Sequence, residues 1–286
     1  MINIGFIDYD LNNFHANTFL RIIKEQFADD VVVSAAWGLQ ESASQKWAEE
    51  NNVTWYTSPE EVAQRSDAVV LLAPDNVEVH EQLAQQVFPY ADKVYVDKPF
   101  APDEETARRM AALAEQHGTQ FFSTSALRFT PDLVAYEQAR ADETSEIGQL
   151  DPAVDVAMYG PGVWPGYAVH CVETVVTLFG HRVKRLRAGG RDKMFRVEIE
   201  WEDERTAYIS VNGWADVPFS AVVTHPSQRV TLDMNNPAFY DGLVAAMITF
   251  FQTGKSPVPF EETLAVVGIL EKALASRKSD GAWIRL

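Results

Sequence analysis

Two hydrophobic rhythms divide the chain. Through residue 125, short apolar runs at 2–7, 31–36, 53–56, 68–72, 93–96 and 120–124 alternate with stretches whose apolar residues recur at helical spacing. Phe19, Leu20, Ile22, Ile23 and Phe27 mark one such stretch, and Trp47 and Ala48 another. Ser58-Pro59-Glu60-Glu61 is a capping box with proline at the first helical position. Helices are also predicted at 80–87 and 103–117, the second stopped by Gly118. Strands that alternate with helices and are apolar on both faces predict a parallel, doubly wound sheet.

Beyond residue 126 the order changes. A polar, Pro- and Gly-containing stretch at 142–165 holds one short strand pattern at 153–158 and is followed by a compact helix pattern at 166–180. Strand patterns then follow one another at 183–188, 195–201, 206–213, 219–224 and 230–234, and helices at 240–253 and 261–277 close the chain. Consecutive strands predict an antiparallel sheet. The fold class is therefore α/β: an N-terminal doubly wound (Rossmann) domain over 1–125, then a C-terminal α+β substrate or oligomerisation domain over 126–286. The latter carries a large, open-faced, mainly antiparallel sheet. If the uncovered face is drawn from Val197, Ile199 and Trp201, or Ile209 and Val211, it forms a large apolar patch. A homodimer or higher homo-oligomer through that sheet is expected.

Composition narrows the partners. The 286 residues hold 24 Lys and Arg against 41 Asp and Glu, a net charge of −17. So acidic a surface disfavours nucleic acid and anionic membrane as partners. The single cysteine, Cys171, excludes an internal disulfide and fits a reducing compartment. The N-terminus enters a strand pattern without a basic n-region, and no apolar run reaches transmembrane length. A cytoplasmic protein acting on a small molecule is expected.

Candidate chemistry centres on Lys98. Residues 93–96 form a β-branched and aromatic run that ends in Asp97-Lys98-Pro99, and a helix pattern follows. Such an elbow sits at the carboxyl edge of the strands, where α/β sheets bind ligands. Pro99 fixes its own φ and keeps Lys98 out of helical geometry. The turn after the first strand departs from the dinucleotide fingerprint. Asp8, Asp10 and Asn13 stand where its three glycines would fall, with Leu11 between them. Glycines there let the backbone approach a pyrophosphate at a helix N-terminus, whereas two carboxylates oppose it. The second strand ends in Ala36-Trp37-Gly38 with no acid for a ribose hydroxyl and no arginine in the next ten residues for a 2′-phosphate. Trp37 is a candidate adenine platform as well as a packing residue. Asp8, Asp10, His15 and His80 form a weaker candidate set for a cation, without a recognised ligand spacing. His170 lies in an otherwise apolar helix pattern, and three residues on, Glu173 shares its face. Cys171 points elsewhere and reads as a small buried hydrophobe.

Residues 66–80, the Val-Asp-Lys-Pro-Phe run at 96–100, Glu104-Glu105-Thr106-Ala107 and Arg128-Phe129-Thr130-Pro131 together resemble the Gfo/Idh/MocA oxidoreductases. The likeness extends to Lys255 through Leu264 and on to Ser276. It implies hydride transfer between a hydroxyl-bearing carbon of a sugar, polyol or related metabolite and NAD or NADP. It maps the catalytic lysine to Lys98 and the acid–base histidine to His170. It places Ala73, Pro74, Asn76, His80, Asp97 and Arg128 at the cofactor, beside Asp8, Asp10, Leu11, Asn13 and Trp37. Gly166 stands where the family commonly has an aspartate four residues before its histidine, which leaves Glu173 or Tyr167 as substitutes. A member that has lost the cofactor turn and binds a ligand without catalysis is the alternative.

Overall fold

The computed structural model describes residues 1–191, 193–214 and 217–286. It divides into two compact units, one of Met1–Thr124 with Leu243–Thr263 and one of Ser125–Gly242 with Leu264–Leu286. Residues 243–263, assigned on sequence to the C-terminal domain, thus pack with the first unit.

The first unit is built on strands β1 (Ile2–Asp8), β2 (Val31–Gly38), β3 (Thr54–Trp55), β4 (Ala68–Leu71), β5 (Lys93–Val96) and β6 (Gln120–Phe122). They form one sheet in the order β3-β2-β1-β4-β5-β6, and every pairing is parallel. All four residues of β4 are buried, as its uninterrupted Ala-Val-Val-Leu run requires. A buried side chain of valine size or larger contributes about 1.5–3 kcal/mol. The connecting helices are α1 (Phe14–Gln26), α2 (Glu41–Asn51), α3 (Pro59–Gln64), α4 (His80–Val87) and α5 (Glu104–His117). Three start on side-chain caps: Asn13, Ser58 and Asp103 each accept a backbone N–H three residues on. Gly38 ends β2 against α2, where a Cβ would collide with the Ser44 side chain.

The chain order of the strands reverses between β1 and β4, so the loops after these two strands diverge and leave a crevice at their carboxyl ends. Asp8 closes β1, Ala73 follows β4, and Asp97 and Lys98 follow β5. The fold therefore brings these four residues to one edge of one sheet.

The second unit holds α6 (Pro131–Ala141), β7 (Asp155–Pro161), α7 (Ala168–Phe179), β8 (Val183–Arg191), β9 (Met194–Trp201), β10 (Thr206–Asn212), β11 (Ser220–Thr224) and β12 (Arg229–Asp233). Helices α8 (Phe239–Thr253) and α9 (Phe260–Lys278) each run from one unit into the other, and β13 (Ile284–Arg285) ends the chain. The seven-stranded sheet runs β12-β11-β7-β10-β9-β8-β13 and is antiparallel except for the β7–β10 pair. Its buried cluster joins Val197, Ile199, Trp201, Ile209 and Val211 to Val172 and Val176 of α7 and to Val266 and Ile269 of α9. This corrects the sequence expectation for the open face. The apolar alternate set is the covered one, and the solvent face carries Arg185, Arg187, Arg196, Glu198, Glu200 and Tyr208. Among the described residues, no helix is long and apolar enough to cross a membrane.

Candidate active site

In the first unit, the turn after β1 is organised by the Asp8 carboxylate, which is fully buried. Its Oδ1 accepts the backbone N–H of Tyr9 at 2.7 Å and of Ala73 at 2.9 Å, and its Oδ2 accepts Asn13 Nδ2 at 2.6 Å. Asn13 Oδ1 in turn accepts the N–H of Ala16 and caps α1. Burial pushes the Asp8 carboxyl up, to about 7, against the lowering by these three donors; the charge of Asp97 adds to the rise. Asp10 is turned away: its Oδ1 accepts the N–H of Asn12 in a local turn. Leu11 is a fully buried core residue. Trp37 is half-buried at the end of β2.

Ala73 is held in the left-handed region at φ +72°, uncommon for a residue with a Cβ. Two side chains secure it. Asp8 accepts its N–H, and His80 Nε2 lies 3.1 Å from its carbonyl. The other ring nitrogen, Nδ1, lies 3.0 Å from the Phe100 carbonyl. Burial pushes His80 below its ordinary value, and a neutral ring donates to one of the two carbonyls at a time. The sequence expectation places His80 at the cofactor; in the structure its two ring nitrogens face backbone carbonyls. It is fully buried and braces the loops after β4 and β5 from behind. Asn76 is spent on Glu78, whose Oε1 accepts its Nδ2 at 3.0 Å, while Pro74 remains partly exposed.

Asp97 is also fully buried. Its Oδ2 lies 2.5 Å from His15 Nδ1 on the first turn of α1, and its Oδ1 accepts the Lys98 N–H at 2.8 Å and the Tyr95 hydroxyl at 3.2 Å. Burial alone would raise this carboxyl. The charge and hydrogen bond of His15, then the Lys98 charge and N–H, outweigh it and hold Asp97 well below the usual carboxylate range. Lys98 is 8% exposed and joined to Pro99 by a cis bond. Its ammonium sits in the field of the ionised Asp97. No group of three or more candidate metal ligands occurs among the described residues.

In the second unit, His170 lies on the first turn of α7 beside Tyr167 and Phe219, its ring steeply inclined to each at 5.6 Å, while those two rings stack on each other at 6.4 Å. Its Nδ1 is 2.6 Å from Ser125 Oγ. Glu173, on the same helix, is held by an arginine. Arg128 Nε donates to Glu173 Oε1 at 3.0 Å, an almost buried ion pair within this unit. Tyr167 meets the His170 ring through its aromatic edge. Cys171 is fully buried, and burial pushes its thiol up. No local sequence pattern marks Ser125 or His15 as partners of His170 and Asp97, because they lie 45 and 82 residues away from them.

A six-stranded parallel sheet in this order, with its polar groups gathered at the carboxyl edge beside a helix N-terminus, defines a dinucleotide-binding class of protein. Residues 4–125 match the model of the oxidoreductase family with an NAD-binding Rossmann fold. That match covers residues 4–125 and agrees with the family that the motifs resemble. Among solved structures, GenD2 from gentamicin A biosynthesis, in complex with NAD, shares 16% identity at a TM-score of 0.84, covering 100% of this chain and 96% of that one. The scyllo-inositol dehydrogenase of Lactobacillus casei, with bound NAD(H) and scyllo-inositol, shares 12% identity at a TM-score of 0.84, covering 100% and 99%. A myo-inositol dehydrogenase from Corynebacterium glutamicum shares 13% at 0.82, covering 100% and 99%. These likenesses establish the shared two-unit fold. A comparison with curated proteins found no match.

The family model matched by residues 4–125 implies a nicotinamide dinucleotide. The crevice at the carboxyl ends of β1 and β4 fits it in topology. At the first turn the fit is conditional, because Asp8 already engages the N–H groups of Tyr9 and Ala73 and the side chain of Asn13.

Proposed function

We propose that the chain is an NAD-dependent dehydrogenase that interconverts a hydroxyl and a carbonyl on a polyol or related small metabolite. The observation that carries this reading is Lys98, nearly buried at the end of β5 and set in the field of an ionised, fully enclosed Asp97. A lysine held there by backbone and carboxylate can donate to a substrate hydroxyl and fix its orientation. His170, one ring nitrogen engaged by Ser125, is assigned the proton transfer that must accompany hydride loss from the same carbon. The dinucleotide, when bound, supplies the hydride acceptor. The NAD complexes and inositol dehydrogenases of the same fold support the cofactor and the substrate class.

The test is a fluorescence titration with NAD(H) and, separately, NADP(H), followed by turnover on a panel of polyols. Saturable binding below millimolar concentration is expected, and Lys98→Ala should abolish turnover with the melting temperature retained. Absence of binding of either nucleotide to the wild type and to glycine variants at positions 8 and 10 would reject the reading. The second reading, a ligand-binding member without catalysis, is favoured by one observation, the carboxylate of Asp8 at the pyrophosphate position. Nucleotide binding that appears only after glycine is placed at 8 and 10 would support it.

A further inference from the structure

The first turn carries its own anion. Three donors converge on the Asp8 carboxylate: the Tyr9 N–H, the Ala73 N–H and the Asn13 side chain. They come from the loop after β1, the loop after β4 and the cap of α1, the elements that surround the crevice. Converging backbone N–H groups beside a helix N-terminus are an anion site. Here the occupant is a side chain of the chain itself, in the place where the fold would bring a pyrophosphate.

The charged groups around Asp8 decide what happens when a second anion arrives. Asp10 lies in the same turn with its carboxylate on Asn12. Asp97, at the end of β5, adds negative potential. Its countercharges, His15 from α1 and Lys98 from its own loop, are engaged with Asp97. His80, behind Ala73, is held toward its neutral form by burial. The three groups that donate to the Asp8 carboxylate are all uncharged. An ionised Asp8 repels a pyrophosphate brought to the same donors, and away from bulk water that repulsion is weakly screened. Protonation removes that repulsion and frees an acceptor-bound N–H. Buried as it is, the carboxyl takes up a proton at little cost near neutral pH.

We propose that Asp8 is an affinity-determining residue of the nucleotide site, and that a pyrophosphate-bearing ligand binds this turn only together with a proton on the Asp8 carboxyl. The inference rests on the dehydrogenase reading for the identity of the ligand. Its consequence is directional. Affinity for NAD is flat on the acid side of the Asp8 titration and falls about tenfold per pH unit on the alkaline side.

Isothermal titration of the full chain with NAD⁺ and with NADH tests this at pH 6 and pH 8.5, in buffers of contrasting ionisation enthalpy. Close to one proton taken up per nucleotide at pH 8.5, little at pH 6, and a Kd more than tenfold weaker at pH 8.5 are expected. Asp8→Asn keeps the shape of the acceptor and removes the titration. It should bind as tightly at pH 8.5 as at pH 6, without proton uptake. A wild-type Kd independent of pH, with no proton uptake, overturns the inference and leaves the dehydrogenase reading standing. Binding confined to Asp8→Asn at every pH also overturns it, since Asp8 would then be a block that protonation does not lift. Binding by neither protein at any pH rejects the dehydrogenase reading, and the inference falls with it. A melting curve of Asp8→Asn matched to wild type at pH 6 confirms that the variant is folded.

Discussion

Ser125 Oγ stands 2.6 Å from His170 Nδ1 and also accepts the Leu127 N–H at 3.1 Å. The histidine assigned to proton transfer is thus oriented by a neutral, fully buried hydroxyl. A carboxylate in that position would favour the imidazolium by its charge, commonly raising its pKa by about one or more. Ser125→Asp should therefore move the acidic limb of the kcat/KM pH profile to higher pH by about one pH unit or more. Ser125→Ala should lower the rate without that displacement, and Ser125→Thr should restore it. A profile that none of the three changes would show that Ser125 does not orient a catalytic base.

The Asp8 carboxyl also makes a prediction for the ligand-free protein. Its native value, about 7, lies above the usual 3.9 or so of an unfolded aspartate. Between these values the native state holds a proton that the unfolded chain has released. Stability is therefore greatest below the unfolded value and falls as pH rises through the window. A window about three pH units wide limits the loss to roughly 4 kcal/mol. Thermal melts from pH 5 to pH 8 should show a declining Tm for wild type and a shallower decline for Asp8→Asn. Identical slopes in the two proteins would mean that Asp8 is ionised throughout.

Much of this arrangement is legible in the chain. The uninterrupted apolar run of β4 and the alternation with helices make the first sheet parallel, and Val96-Asp97-Lys98-Pro99 announces a side chain presented at a strand end. What escapes a reading of the sequence are pairings made by folding. Asp8 with Ala73 and His15 with Asp97 join positions 65 and 82 residues apart. No local pattern marks either, because each depends on which strands become neighbours. The period-two pattern of Val197, Ile199 and Trp201 shows that the two faces of β9 differ. It does not show which face α7 and α9 cover, and the apolar face is the one that gains from cover.

Ala73 offers a test of stored strain. At φ +72° a Cβ costs on the order of 1–2 kcal/mol relative to glycine. Asp8 and His80 hold it there through its N–H and its carbonyl. Ala73→Gly should therefore leave the loop in place and raise stability by about 1 kcal/mol, less whatever the added freedom of the unfolded chain removes. Chemical denaturation at pH 6 measures this. A loss of more than about 1 kcal/mol would show that the methyl group contributes packing that outweighs the strain.

We propose that the chain assembles through the open face of its second sheet, on polar contacts in place of the apolar ones that the strand pattern suggests. Arg185 and Arg187 are already paired across strands with Glu200 and Glu198, and both guanidinium groups stack on Trp283. Their charges are thereby neutralised within one copy, so two copies can approach without net repulsion from this ladder. Tyr159 and Tyr208, each about half exposed, supply flat aromatic area near its middle; they are suited to an interface because they bury much surface while keeping a hydrogen-bonding tip. Light scattering at micromolar concentration should give at least twice the 32.0 kDa chain mass. Tyr208→Lys should shift the mass toward one chain at unchanged Tm. Its ammonium would face Glu198 across β9, so the sheet tolerates it, but a new charge would be buried between copies. A monomeric wild type contradicts the proposal, and an assembled Tyr208→Lys protein moves the interface to another face.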